Sequence, residues 1–198
     1  MINMSDEEEV RRFFNKFVFG FMCGDIERAI SSGCNFLCAL GLVAYTEVMG
    51  SLMTGKFGKD GSCERRFNTF LEHMGKEYLD LDQKLKLNGK KGLYDTVRSG
   101  LVHEYFIKGE STIRMRNGTQ KTGVLVNDKG ITCFIVETYF QHFKNGSEKY
   151  LRELLANEEK RRRFLNTIRD KSKEIAKVEK EINQGISGEF ASRAHFFP

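Results

Sequence analysis

Arg98 and His103 are the residues of this 198-residue chain whose types and spacing can do chemistry together. An imidazole with an ordinary pKa of about 6.5 takes and returns protons near neutrality. A guanidinium stays charged and holds a phosphate through two parallel hydrogen bonds. The two together suit metal-free cleavage of RNA. The histidine would help deprotonate the ribose 2′-hydroxyl or protonate the leaving oxygen, and the arginine would stabilise charge growing on the phosphorane-like transition state. Spacing alone does not single out this pair, because Arg66 and His73 stand in a similar relation.

Glu47 is the next residue of interest. It lies in an otherwise apolar stretch, and a carboxylate in such a place needs a partner, so it is expected either to orient Arg98 or His103 or to form an ordinary ion pair. Cys34 and Cys38 share a helical face and with His73 would supply three metal ligands, but no fourth is evident, so no metal is expected. The run Arg161-Arg162-Arg163, with Arg169, Lys171, Lys173 and Lys177, is interleaved with Glu158, Glu159, Asp170, Glu174, Glu179 and Glu181. That pattern reads as a solvated helix face laced with ion pairs rather than a phosphate track. There is no Walker loop, nucleophile elbow or dinucleotide fingerprint, and no cofactor is implied.

The elements that must position these residues are mostly helices. Pro198 is the single proline, so nothing in the body of the chain removes a helical N–H. Ser5 followed by Asp6, Glu7 and Glu8 starts a first helix running to about Cys23, with Phe13, Phe14, Phe17, Val18 and Phe21 on its apolar face. Asp25 is placed to cap a second, longer helix to about Met53, apolar on most sides and therefore expected at the centre of a bundle. Arg65 to Met74 reads as a third helix, Leu79 to Gly92 has no clear pattern, and Leu93 to Phe106 resumes helical spacing.

From about 111 to 136 the period changes to two. Asn117-Gly118 and Asp128-Lys129-Gly130 are tight-turn signals, and the segment reads as a small antiparallel β-meander inserted into a helical protein. Residues 137 to 184 return to helix, with a break expected near Asn145-Gly146. The stripe of Leu151, Leu154, Leu155, Phe164, Leu165, Ile168, Ile175, Val178 and Ile182 needs a partner surface, within the chain or from a second subunit.

Composition sets the outer bounds. With 40% hydrophobic and 30% charged residues the chain reads as a single domain over 1–198, mainly α, with one core. Five cysteines with no dense framework, behind an acidic N-terminus, fit a reducing cytoplasm. The net charge of +5 is compatible with an acidic partner such as RNA without pointing to it. The charge-free stretch from Ala29 to Thr46 is diluted by small and polar residues and reads as a buried helix, so no membrane is expected.

The run Leu93-Tyr94-Asp95-Thr96-Val97-Arg98-Ser99-Gly100-Leu101-Val102-His103-Glu104-Tyr105-Phe106 resembles the ribonuclease signature of the HEPN superfamily, in which an arginine is followed by a small or polar residue and then by a histidine. The resemblance extends more loosely to Tyr45–Gly50 and to Phe67–Met74, and covers about the first half of the chain. It implies a HEPN-like helical bundle, metal-independent endoribonuclease activity with Arg98 and His103 catalytic and Ser99 and Glu47 in support, and a homodimer. On an unbroken helix Arg98 and His103 would lie roughly 140° apart. A long arginine reaching around, a bend at Gly100 or a partner subunit's group would reconcile them, and the dimeric cleft favours the last. The alternative is a non-catalytic RNA-binding or protein-interaction module of the same shape, whose C-terminal helix docks a protein partner.

Overall fold

The computed structural model describes residues 5–57, 62–87, 89, 91–99, 101, 111–116, 120–127 and 131–185, and side chains as far as residue 179. In chain order the elements are α1 (Asp6–Phe13), a π-helical segment (Phe14–Cys23), α2 (Gly24–Ser31), α3 (Asn35–Thr54), α4 (Cys63–Met74), α5 (Lys76–Leu87) and a short π-helical segment (Tyr94–Ser99). They continue with β1 (Ser111–Arg114), β2 (Val124–Val126), β3 (Thr132–Ile135), α6 (Val136–Ala156) and α7 (Glu158–Gly185). The protein is mainly helical with one small sheet.

The first helix starts as its residues dictate. Ser5 Oγ accepts from the Glu8 backbone N–H while the Glu8 carboxylate accepts from the Ser5 N–H at 2.8 Å, a reciprocal box that satisfies two otherwise orphaned donors. Helix then continues past Cys23 to Ser31, contrary to the expectation that Asp25 would start a new one. Asp25 instead pairs with Arg28 one turn on and accepts from the Tyr45 hydroxyl at 3.2 Å. The chain turns at Ser32-Gly33, where Gly33 takes a left-handed φ of 69° that costs a glycine nothing.

α3 is the central helix, as its all-round apolar character requires. Cys38, Ala39, Leu42, Val43, Thr46, Met49 and Leu52 are all buried along it. It is long and apolar enough to cross a membrane by length and composition, and half of that window is buried inside the fold. α4 lies against it through Phe67, Phe70 and Leu71. The two helices meet at Gly50, where an added Cβ would lie only 1.8 Å from the Arg66 carbonyl oxygen.

The polar stretch from Leu79 folds as α5, whose buried face is Tyr78, Asp82 and Leu85. α6 runs unbroken through Asn145-Gly146. The glycine there is a point of close approach rather than a break, since a Cβ on Gly146 would meet Met74 Cγ at 3.2 Å.

The sheet is three-stranded and mixed, in the order β1-β3-β2, and corrects the antiparallel meander. β2 and β3 form the expected hairpin, closed where Asn127 N–H donates to the Ile131 carbonyl at 3.0 Å and Ile131 N–H to Asn127 Oδ1 at 2.9 Å. β1, however, pairs in parallel with β3, with Ser111 opposite Thr132 and Arg114 opposite Ile135. The turn expected at Asn117-Gly118 lies outside the described residues, and β3, with buried Phe134 and Ile135, takes the centre.

Candidate functional site: an arginine clamp on Glu47

Three elements converge on Glu47. Arg98 comes from the second π-helical segment, whose placement starts at α5. The Asp82 carboxylate, 5% exposed, accepts from the Leu93 N–H at 2.7 Å and also pairs with Lys86 at 2.9 Å. Gly92 makes this approach feasible, because a Cβ there would stand 2.2 Å from Asp82 Oδ1. Leu93, Val97 and Leu101, spaced one turn apart, then bury the inner face of the segment.

With that face fixed, Tyr94 and Arg98 emerge together on the adjoining one. The Arg98 guanidinium lies 5.5 Å from the Tyr94 ring centroid, and the ring meets Phe67 edge-on at 5.7 Å. Arg98 Nε donates to Glu47 Oε2 at 2.8 Å.

The second arginine is Arg66, on α4. Its Nη2 lies 3.5 Å from Glu47 Oε1, so each oxygen of one carboxylate faces a different guanidinium. Arg66 is 3% exposed, and Nη1 donates to Ser62 Oγ at 2.7 Å and Nη2 to Cys63 Sγ at 3.0 Å. Tyr94 also neighbours Cys63. Burial raises the Tyr94 pKa, the nearby Arg98 charge opposes that rise, and Glu47 adds to it, so the phenol stays protonated at neutrality.

Glu47 thus brings two guanidiniums together in a part-buried place, where a low dielectric strengthens the interaction of either one with an anion. Arg66 is sealed in, whereas the Arg98 side chain is 21% exposed. Among the described residues Arg98 makes no hydrogen bond through Nη1 or Nη2. Glu47 holds it on one edge and the Tyr94 ring lies against one face.

Of the four residues singled out from sequence, Glu47 and Arg98 come together. Ser99 ends the π-helical segment with its side chain outside the described part, and His103 lies outside the described residues. Arg66, Tyr94 and Cys63 had not been assigned to this site. The signal for Arg66 was present in its own spacing to His73, but that histidine faces another way, with Nε2 3.1 Å from Glu153 Oε1. Burial works against the Glu153 charge, yet hydrogen bonds from Lys160 and His73 outweigh it and hold the carboxyl below its ordinary range. Cys38 is buried in the core and its thiol is pushed up by that burial. Among the described residues no group of three or more His, Cys, Asp or Glu side chains gathers as for a metal ion.

Four residues of the basic run on α7 pair with acids. Arg161 pairs with Glu7, Arg169 with Asp6 and Glu9, Lys171 with Glu174 and Lys173 with Asp170. The chain matches no protein-family model, no curated protein and no solved structure.

Proposed function

We propose that the protein is a metal-independent endoribonuclease of HEPN type, in which Arg98 binds the scissile phosphate and His103 transfers the proton. The observation that carries this reading is the Glu47–Arg98 bond. Among the described residues it engages the guanidinium through Nε alone, and it holds this part-exposed side chain beside a second arginine. A fixed arginine of this kind stabilises charge that develops on a phosphoryl oxygen without reorganising at the moment of reaction. Glu47 is the positioning residue, and Arg66 adds positive charge behind it. Ser99, next to Arg98, stands in support, and a homodimer bringing two copies of the 98–103 segment to one cleft would complete the proton-transfer geometry.

The test is incubation of a mixed single-stranded and structured RNA pool with the protein in excess EDTA, beside the same sequences carrying 2′-deoxy sugars. Cleavage of the RNA and not of its deoxy counterpart is expected, because the 2′-hydroxyl is the attacking group. Cleavage of both, or dependence on a divalent ion, would refute the mechanism.

A second reading draws on the same clamp. Glu47, Arg66 and Arg98 also fasten α3, α4 and the π-helical segment to one another. In a non-catalytic module this fastening would be their whole role, with RNA or a protein partner bound elsewhere, the latter along the C-terminal helix.

A further inference from the structure

Away from the Glu47 clamp, a groove of about 500 Å3 runs between α1, the first π-helical segment, α3 and α7. Phe13, Phe17, Val48 and Leu52 form its floor, and Ile168 and Ile175 of α7 its wall. Ile175 is 52% exposed, leaving part of this wall apolar and open to solvent. The rim is cationic. Arg12 and Lys16, one helical turn apart, stand on one side and Lys171 on the other. Lys16 lies 5.4 Å from the Phe17 ring centroid, which keeps its charge beside the apolar floor.

The single acid of the lining, Glu9, is already bonded to Arg169. Lys171 is shared with Glu174 at 2.6 Å, so its charge is partly met. Arg12 has no hydrogen bond or ion pair among the described residues. An apolar trough of ligand size with a cation at its lip fits an occupant with an aliphatic body and one negative end. A second copy laid face to face would set the Arg12 and Lys16 rim against itself.

We infer that this groove binds a single-chain aliphatic carboxylate, the chain lying on Phe13, Phe17, Val48 and Leu52 and the carboxylate paired with Arg12. None of the clamp residues lines the groove, so this site stands or falls independently of the ribonuclease reading.

Calorimetric titration of the full chain with dodecanoate, below its micelle concentration, tests it against dodecylammonium, which has the same chain and the opposite charge. Expected is saturable binding of one dodecanoate per chain and binding of dodecylammonium weaker by about tenfold or more. Ile175→Glu and Arg12→Glu, both at exposed positions, should each weaken dodecanoate by about tenfold while the thermal midpoint of the ligand-free protein stays unchanged. Equal binding of the two amphiphiles, binding untouched by both variants, or no saturable heat would overturn the inference. So would a dimer in sedimentation velocity that Ile175→Glu dissociates, or tighter retention on anionic vesicles than by dodecanoate, since each would give the groove to another occupant.

Discussion

Arg98 Nε and Glu47 Oε2 lie 2.8 Å apart, joining a short π-helical segment to the middle of the central helix across 51 positions of chain. The same carboxylate faces Arg66 at 3.5 Å, so removing its charge leaves two guanidiniums side by side, one of them buried. Glu47→Gln should therefore cost about 3 kcal/mol in urea unfolding, the scale of an ion pair broken from one side. Adding Arg66→Met to Glu47→Gln should cost less than the sum of the two single losses, because the contact they share is broken only once. Additive losses in the double variant would show that Arg66 and Glu47 are not energetically coupled.

Gly50 decides how closely α3 and α4 pack. A methyl group at this position has no room beside the Arg66 carbonyl, and the clash is with backbone rather than with a flexible side chain end. Gly50→Ala should destabilise by about 3 kcal/mol or more and shift Arg66 away from Glu47. Gly33→Ala is the contrast: its φ is 69° and nothing lies within reach of the added Cβ, so only backbone strain of about 1 kcal/mol is expected. Thermal denaturation of the two variants separates steric overlap from strain.

His142 should make folding sensitive to mild acid. The Tyr78 hydroxyl accepts from the Gly123 N–H at 2.8 Å and lies 2.9 Å from His142 Nδ1, either atom of that second pair being able to donate. Burial lowers the His142 pKa from 6.5, with Glu77 opposing. The unfolded chain then binds more protons below about 6.5, so the stability is fully present above that pH and is lost as pH falls through the lowered folded value. Melting temperatures of wild type and His142→Gln between about pH 7.5 and pH 5 should diverge, the wild type falling more steeply. Parallel curves would contradict this.

Arg98 is expected to meet phosphate directly, whereas Arg66 acts behind it. Arg98→Ala should reduce the slope of log affinity for RNA against log salt by about 1, the signature of one lost phosphate contact. Arg66→Met should change stability more than that slope. Equal slopes for wild type and Arg98→Ala, measured by fluorescence anisotropy, would place the RNA contact elsewhere.

The helical class, the central position of α3 and the Glu47–Arg98 pair were readable because each follows from a local rule. An all-round apolar helix must be buried, and a carboxylate inside it must find a cation. Arg66 was harder to place, since its role depends on the rotation of α4 that Gly50 permits, a tertiary fact invisible in spacing. The parallel pairing of β1 with β3 escaped for a similar reason. Alternation fixes which face of a strand is buried but not which neighbour it takes, so a reading as consecutive hairpins missed the parallel partner. Asp25 misled because a capping residue within a sequence that continues to favour helix can pair along the helix instead, as it does with Arg28.

The most direct measurement of the central claim is single-turnover RNA cleavage in excess EDTA by wild type, Arg98→Ala and His103→Ala, each first shown to be folded by circular dichroism. Expected is a loss of about 100-fold or more in each variant, the scale for removing a general acid–base or a charge-stabilising donor. Cleavage that persists undiminished in both folded variants, or a wild type inert across pH and substrates, would contradict the assignment of Arg98 and His103 as a catalytic pair.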